Sequence, residues 1–264
     1  SHANSFPAGT YRLLFKHLRE RNMDVSAVER FGHEPQYPVS NNWPHLVQQL
    51  ADFAAQQVQA SGERVFLVGH SLGGILSVMA AAQHPDLARG VLMLDSPLIS
   101  GWRATTVGVA KRTQVVSAVS PGRVSRQRRM SWASTDEALE HFLKKEVFTR
   151  WDPQVLHDYV THGLHDKDGR RVLGFDRAVE TAIYNTLPHN LDRLLRRHPL
   201  RCPTAFIGGL DSVEMRQVGM ALTRRITGGR IMMLDGSHLF PMEQPLATAA
   251  AIEAALLNLS SIAP

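Results

Sequence analysis

Ser71 stands in Gly69-His70-Ser71-Leu72-Gly73-Gly74, between the apolar run Val65–Val68 and an alanine-rich segment from Ile75 to Gln83. A serine with glycine two residues before and after it can occupy a very tight strand-to-helix turn. On that turn its hydroxyl projects clear of the backbone, and the helix N-terminus favours negative charge developing beside it. A serine hydroxyl attacks only when a base takes its proton. His238, in Leu234-Asp-Gly-Ser-His238-Leu-Phe-Pro241, is the best-placed base, because its loop follows a short apolar run and can hang over a sheet edge. His70 adjoins the serine, but neighbours on such a turn point differently, so it is a poor base.

A histidine base needs a carboxylate to hold its tautomer and balance its cation. Three aspartates qualify: Asp211 after Thr204–Leu210, Asp95 after Gly90–Leu94, and Asp235 close to His238 in sequence. Asp211 is favoured, with Asp95 the alternative. The resulting chain order, Ser71, Asp211, His238, is the serine–acid–histidine order known for acyl transfer on an open sheet.

Positioning these groups requires strand ends gathered at one edge. Short apolar runs at Val65–Val68, Gly90–Leu94, Thr204–Ile207 and Arg230–Leu234 read as buried strands. Helical spacing marks Thr10–Arg21, Pro44–Ala60, Ile75–Gln83, Asp136–Val147 and Gln244–Leu259, while Val25–Val28 reads as one more short strand. The alternation predicts an α/β fold with a mostly parallel central sheet flanked by helices. Between Leu98 and Pro199 the pattern is mainly helical and irregular, so residues 1–97 and 200–264 are expected to form the core and 98–199 a helical cap.

These motifs resemble the α/β-hydrolase superfamily, in particular its capped serine esterases and lipases, over essentially the whole chain. Gly69–Gly74 resembles the family's nucleophile elbow, Gly208-Gly-Leu-Asp-Ser212 the acid segment, and Ser237–Pro245 the histidine loop. His2-Ala3-Asn4-Ser5-Phe6-Pro7 resembles its His-Gly oxyanion loop, with Ala3 in place of the usual glycine. The resemblance implies an oxyanion hole formed by the amides of Asn4 and Leu72, with Ser5 a close competitor of Asn4. It also implies strands ahead of that loop, so either residues upstream of Ser1 or a sheet short at one edge is expected. Trp102, Trp132, Phe142, Phe148, Trp151 and Tyr159 fall in the cap, as packing or as walls of an acyl pocket.

Composition narrows the rest. Lysine plus arginine exceed aspartate plus glutamate by 29 to 24, a small excess with no zinc-finger or RNA-binding signature beside it, so no nucleic-acid partner is expected. The run Arg123, Arg126, Arg128 and Arg129 reads as a solvated face. No apolar run is long enough to span a bilayer. Cys202 is the only cysteine, which excludes an internal disulfide and fits a reducing, cytoplasmic setting. His157, His162, His165, Asp166 and Asp168 cluster without a recognised metal spacing, and the chemistry calls for no metal or organic cofactor.

The expected reaction is hydrolysis of a small-molecule carboxylic ester through an acyl-serine. Carbon–carbon bond hydrolysis, thioester hydrolysis and perhydrolysis use the same three residues, and a ligand-binding protein on the same scaffold is a further alternative.

Overall fold

The computed structural model describes residues 1–101 and 127–262. Trp102, Arg123 and Arg126 lie outside the described residues. A short 3₁₀ turn, Ala8–Tyr11, leads into α1 (Arg12–Arg19), and α2 spans Pro44–Ser61. Proline is tolerated at the first helical position of α2 because that N–H has no partner in the helix, and Gly62 at φ 75° ends it in the left-handed region. Then follow β1 (Val65–His70), α3 (Leu72–Gln83) and β2 (Ala88–Leu94).

Between β2 and the next core strand lie β3 (Ser131–Trp132), α4 (Thr135–Leu143), α5 (Glu146–Thr149) and α6 (Pro153–Gly163). The segment continues with β4 (Leu164–Lys167), β5 (Arg170–Leu173), α7 (Arg177–Asn185) and α8 (Leu191–Arg197). The chain closes with β6 (Thr204–Gly209), α9 (Val213–Val218), α10 (Ala221–Thr227), β7 (Ile231–Leu234), α11 (Phe240–Glu243) and α12 (Pro245–Ser260).

The core sheet is parallel, in the order β1-β2-β6-β7. Its register pairs His70 with Leu94, Leu94 with Ile207, and Gly209 with Leu234, which brings the strand ends carrying the candidate groups to one rim. Both faces are covered. Val91, Met93 and Phe206 pack toward Leu46, Leu76 and Met79 on one side, while Leu92, Leu94 and Ile207 meet Ile252 and Ala255 on the other. The alternation is the period-two geometry of a strand buried on both sides. Leu76 and Leu92 are fully buried, each stabilising the fold by about 2 kcal/mol relative to exposure.

Two details differ from the sequence reading. Val25–Val28 forms no strand; only Val28 of the run is buried, and no neighbouring strand pairs with it among the described residues. Conversely, a three-stranded antiparallel sheet, β3-β5-β4, sits in the region expected to be mainly helical. Its hairpin turns at Asp168-Gly169, both at positive φ (50° and 72°). Asp-Gly between two strands is a strong two-residue hairpin signal, because both positions must adopt left-handed backbone.

Candidate active site

Ser71 follows β1 and caps the N-terminus of α3, with φ 52° and ψ −113°. For a residue with a side chain this conformation costs on the order of 1–3 kcal/mol, which the surrounding structure must offset. The turn is pinned by the Ser71 N–H donating to the Leu94 carbonyl at 2.9 Å, and by Gly74 and Ile75 donating back to the Ser71 carbonyl. A Cβ on Gly69 would collide with the Gly73 backbone, and one on Gly74 with the Ser96 hydroxyl. The glycines are therefore needed for close approach.

His238 lies on the loop after β7. Glu243, one residue before the break into α12, accepts from the Ser237 N–H at 3.0 Å and from the Ser237 hydroxyl. The loop is thereby clamped next to His238. The imidazole spans two partners, with Nε2 2.9 Å from Ser71 Oγ and Nδ1 2.7 Å from Asp95 Oδ1.

The carboxylate against His238 is thus Asp95, and the expectation that Asp211 fills this position is corrected. Asp95 follows β2 directly, has φ 40°, and is fully buried. Its Oδ2 accepts the Gly209 N–H at 2.6 Å, and its Oδ1 accepts the Ser212 hydroxyl at 2.6 Å. Burial alone would raise its pKa. The hydrogen bond and charge of His238, with the Ser212 hydroxyl and the Gly209 amide, outweigh that and hold it below the usual carboxylate range. Asp211 instead lies beyond the rim, since β6 runs on through Gly209 whereas β2 stops at Leu94. Its carboxylate is 59% exposed and meets Arg150 Nη2 at 3.1 Å. Asp235 is exposed as well.

The N-terminal loop closes the other side. Ala3 donates its N–H to the Tyr11 hydroxyl at 3.0 Å, and Phe6 donates to the Ala3 carbonyl at 3.2 Å. The amides of Asn4 and Ser5 have no protein partner among the described residues. Ser5 is at φ 76°, and the Asn4 side-chain amide donates to the Glu180 carbonyl at 3.1 Å. Leu72 is the first residue of α3, so helix geometry supplies its N–H with no carbonyl.

Several other residues singled out in the sequence have structural partners. Trp132, Phe142, Phe148, Trp151 and Tyr159 are buried in one aromatic cluster with ring centroids 4.7–5.8 Å apart. Phe6 reaches that cluster at Trp151, 5.4 Å away. Of the basic run, Arg128 pairs with Glu180 at 3.1 Å and with the Tyr159 hydroxyl, and Arg129 with Glu137. Asp166 binds Arg171 at 3.1 Å, and no group of three or more metal-ligating side chains occurs among the described residues. Burial pushes the Cys202 thiol up to about 11, which makes it a poor nucleophile.

Sequence reasoning did not find Ser212, Glu243, Arg150 or the hydrogen-bonding roles of His70 and Tyr11. Ser212 carried a signal, since its side chain also caps α9 by accepting from Met215 at 3.2 Å. Glu243 lies only six residues from Ser237, within the histidine loop, whereas Arg150, His70 and Tyr11 act across long sequence separations and left none.

A buried acid, a histidine and a serine at the rim of a parallel sheet define a scaffold of the hydrolase type. A model of the alpha/beta hydrolase family matches residues 1–251, and the chain belongs to that family. It is 33% identical over 103 residues to the monoglyceride lipase of Rattus norvegicus, a match covering 38% of this chain. The match spans only 34% of that relative's length. Among solved structures, it is similar to E-2-(acetamidomethylene)succinate hydrolase, with a TM-score of 0.69 and 20% identity over 97% of this chain and 89% of the other. A thioesterase domain from the curacin biosynthetic pathway aligns with a TM-score of 0.68 and 16% identity, over 96% and 88% of the two chains. At these identities the structural likeness concerns the fold. No helix among the described residues is long and apolar enough to cross a membrane.

Proposed function

We propose that this hydrolase cleaves small-molecule carboxylic esters through an acyl-serine intermediate, with Ser71 as nucleophile, His238 as base and Asp95 as acid. The observation that carries this reading is the continuous contact from Ser71 Oγ through both His238 nitrogens to a buried, multiply hydrogen-bonded carboxylate. His238 takes the Ser71 proton as the hydroxyl attacks the ester carbonyl, and Asp95 balances the imidazolium. The amides of Asn4 and Leu72 bind the tetrahedral oxyanion, an interaction worth about 3 kcal/mol per donor in other enzymes. His238 returns the proton to the departing alcohol, then activates the water that releases the acid.

Residues 1–97 and 200–264 form the catalytic core in this reading, and 98–199 a cap that shapes the substrate cavity. The partial likeness to a monoglyceride lipase makes glycerol monoesters one class worth assaying. The lone half-buried Cys202 is compatible with a cytoplasmic setting.

The test is hydrolysis of p-nitrophenyl esters from acetate to decanoate, with Ser71→Ala in parallel. Removing the nucleophile is expected to cut kcat by about 10⁵–10⁶-fold. Turnover that survives in Ser71→Ala would overturn the assignment, and the preferred chain length would size the acyl pocket.

A further inference from the structure

His70 adjoins the nucleophile yet makes no bond to its hydroxyl. Its ring is 1% exposed, and both of its nitrogens are engaged. Nδ1 is 2.8 Å from the Tyr11 hydroxyl oxygen, and Nε2 is 2.8 Å from the carbonyl oxygen of His238. The Tyr11 oxygen in turn receives the Ala3 N–H at 3.0 Å.

The protons in this chain have a single consistent arrangement. A carbonyl oxygen can only accept, so Nε2 of His70 must carry a hydrogen. Burial, with the neighbouring charge of His238 adding to it, pushes the His70 pKa down to about 3, so the ring is neutral and Nδ1 is bare. Tyr11 then donates to Nδ1 and has a lone pair left for Ala3. Burial also raises the Tyr11 pKa, which keeps its hydrogen in place. Besides Tyr11, the charged groups acting on His70 are His238, which disfavours its protonation, Asp95, which favours it, and the Ser1 amino group, which disfavours it. Each polar atom on the path from the Ala3 N–H through Tyr11 and His70 to the His238 carbonyl has a partner. An apolar side chain at position 70 would leave the Tyr11 hydroxyl hydrogen and the His238 carbonyl without the partners they have here.

The two ends of the chain are what give it meaning. Ala3 precedes Asn4 in the loop proposed to bind the oxyanion, and the His238 carbonyl belongs to the proposed base. We propose that His70, together with Tyr11, is a positioning residue: a strut of fixed tautomer that ties the oxyanion loop to the backbone of His238. This deepens the serine-hydrolase reading and rests on it. Its role is not proton transfer with substrate but holding two of the reacting groups in register.

The experiment separates the two bonds of His70. In His70→Gln an amide nitrogen can reach the place of Nε2 and still donate to the His238 carbonyl. In His70→Asn the shorter side chain reaches only the place of Nδ1. Losing the bond to His238 is expected to lower kcat on a p-nitrophenyl ester about tenfold in His70→Asn with KM little changed, while His70→Gln loses less than about threefold. Tyr11→Phe should fall between them. Equal losses in both His70 variants would reduce the residue to a space-filler and overturn the strut.

A second readout does not depend on turnover. In ¹⁵N-histidine NMR of the Ser71→Ala protein, His70 should show the neutral Nε2–H tautomer throughout about pH 5 to 8. His70→Asn should shift the ring resonances of His238, and His70→Gln should leave them near their original positions. A His70 that titrates in this range, or carries its hydrogen on Nδ1, overturns the proposal. Absence of ester turnover in the wild type would count against the serine-hydrolase reading alone, and the NMR would still decide the strut.

Discussion

Asp95 and Asp211 each follow a core strand, and the two strands are neighbours in the sheet. Their surroundings are opposite. Asp95 is buried and takes hydrogen bonds from Gly209, Ser212 and His238, three groups drawn from two other strand ends. Asp211 is mostly solvated and shares Arg150 with Glu243, whose carboxylate lies 3.4 Å from that guanidinium. A carboxylate can steady an imidazolium only where it is held and desolvated, because water screens an exposed charge and lets its side chain wander. Distance along the chain from the strand end does not decide this. The length of the strand does: two residues more in β6 carry Asp211 past the rim.

The largest effect that could break the comparison is Asp95→Asn. It should lower kcat by about 10⁴-fold, as loss of the correct histidine tautomer does in other triads. Steady-state kinetics on the best p-nitrophenyl ester would show it, with circular dichroism confirming an intact fold.

The second prediction concerns acid stability. His2 and His70 are buried and neutral, and desolvation lowers both from the ordinary 6.5 to about 3. The unfolded chain therefore binds more protons than the folded one between those values. Stability should fall as pH drops below about 6.5, by up to ~1.4 kcal/mol per pH unit for each group, and the decline should slacken near pH 3. Asp95, depressed in the fold, adds a loss that begins as pH falls below the ordinary carboxylate value and is complete once pH has passed through its lowered pKa. Urea titrations across this range would measure the slope, and His70→Gln should make it shallower.

Ser212→Ala should have a smaller effect on activity. It removes one donor from Asp95 but leaves Gly209 and His238, so a loss of about tenfold in kcat is expected. The smallest effects belong to the exposed region. Asp211→Asn should change kcat less than about threefold, and Arg150→Met should cost less than about 1 kcal/mol of stability, in keeping with half-exposed ion pairs. That small cost should shrink further in high salt. A large loss in Asp211→Asn would reverse the comparison.

The parts legible in sequence were those carried by local pattern. The turn around Ser71 announced itself through glycine spacing between an apolar strand and a small-residue helix, and the four core strands through short apolar runs. The Asp168-Gly169 hairpin was legible in principle, its turn signal outweighed by the helical segments around it. The partner of His238 was not legible, because Asp95 and Asp211 share the same local context and differ only in which donors the tertiary fold brings to them. The link from His70 to His238, 168 residues apart, is similarly a property of the folded rim rather than of any run of residues.

Asp95, and not Asp211, lies against the Nδ1 nitrogen of His238. The far-downfield ¹H NMR spectrum tests it directly, since a histidine Nδ1–H bonded to a buried carboxylate resonates well beyond the amide region. Such a resonance is expected in the wild type and in Asp211→Asn, and its loss in Asp95→Asn. A resonance that survives in Asp95→Asn and disappears in Asp211→Asn would contradict it.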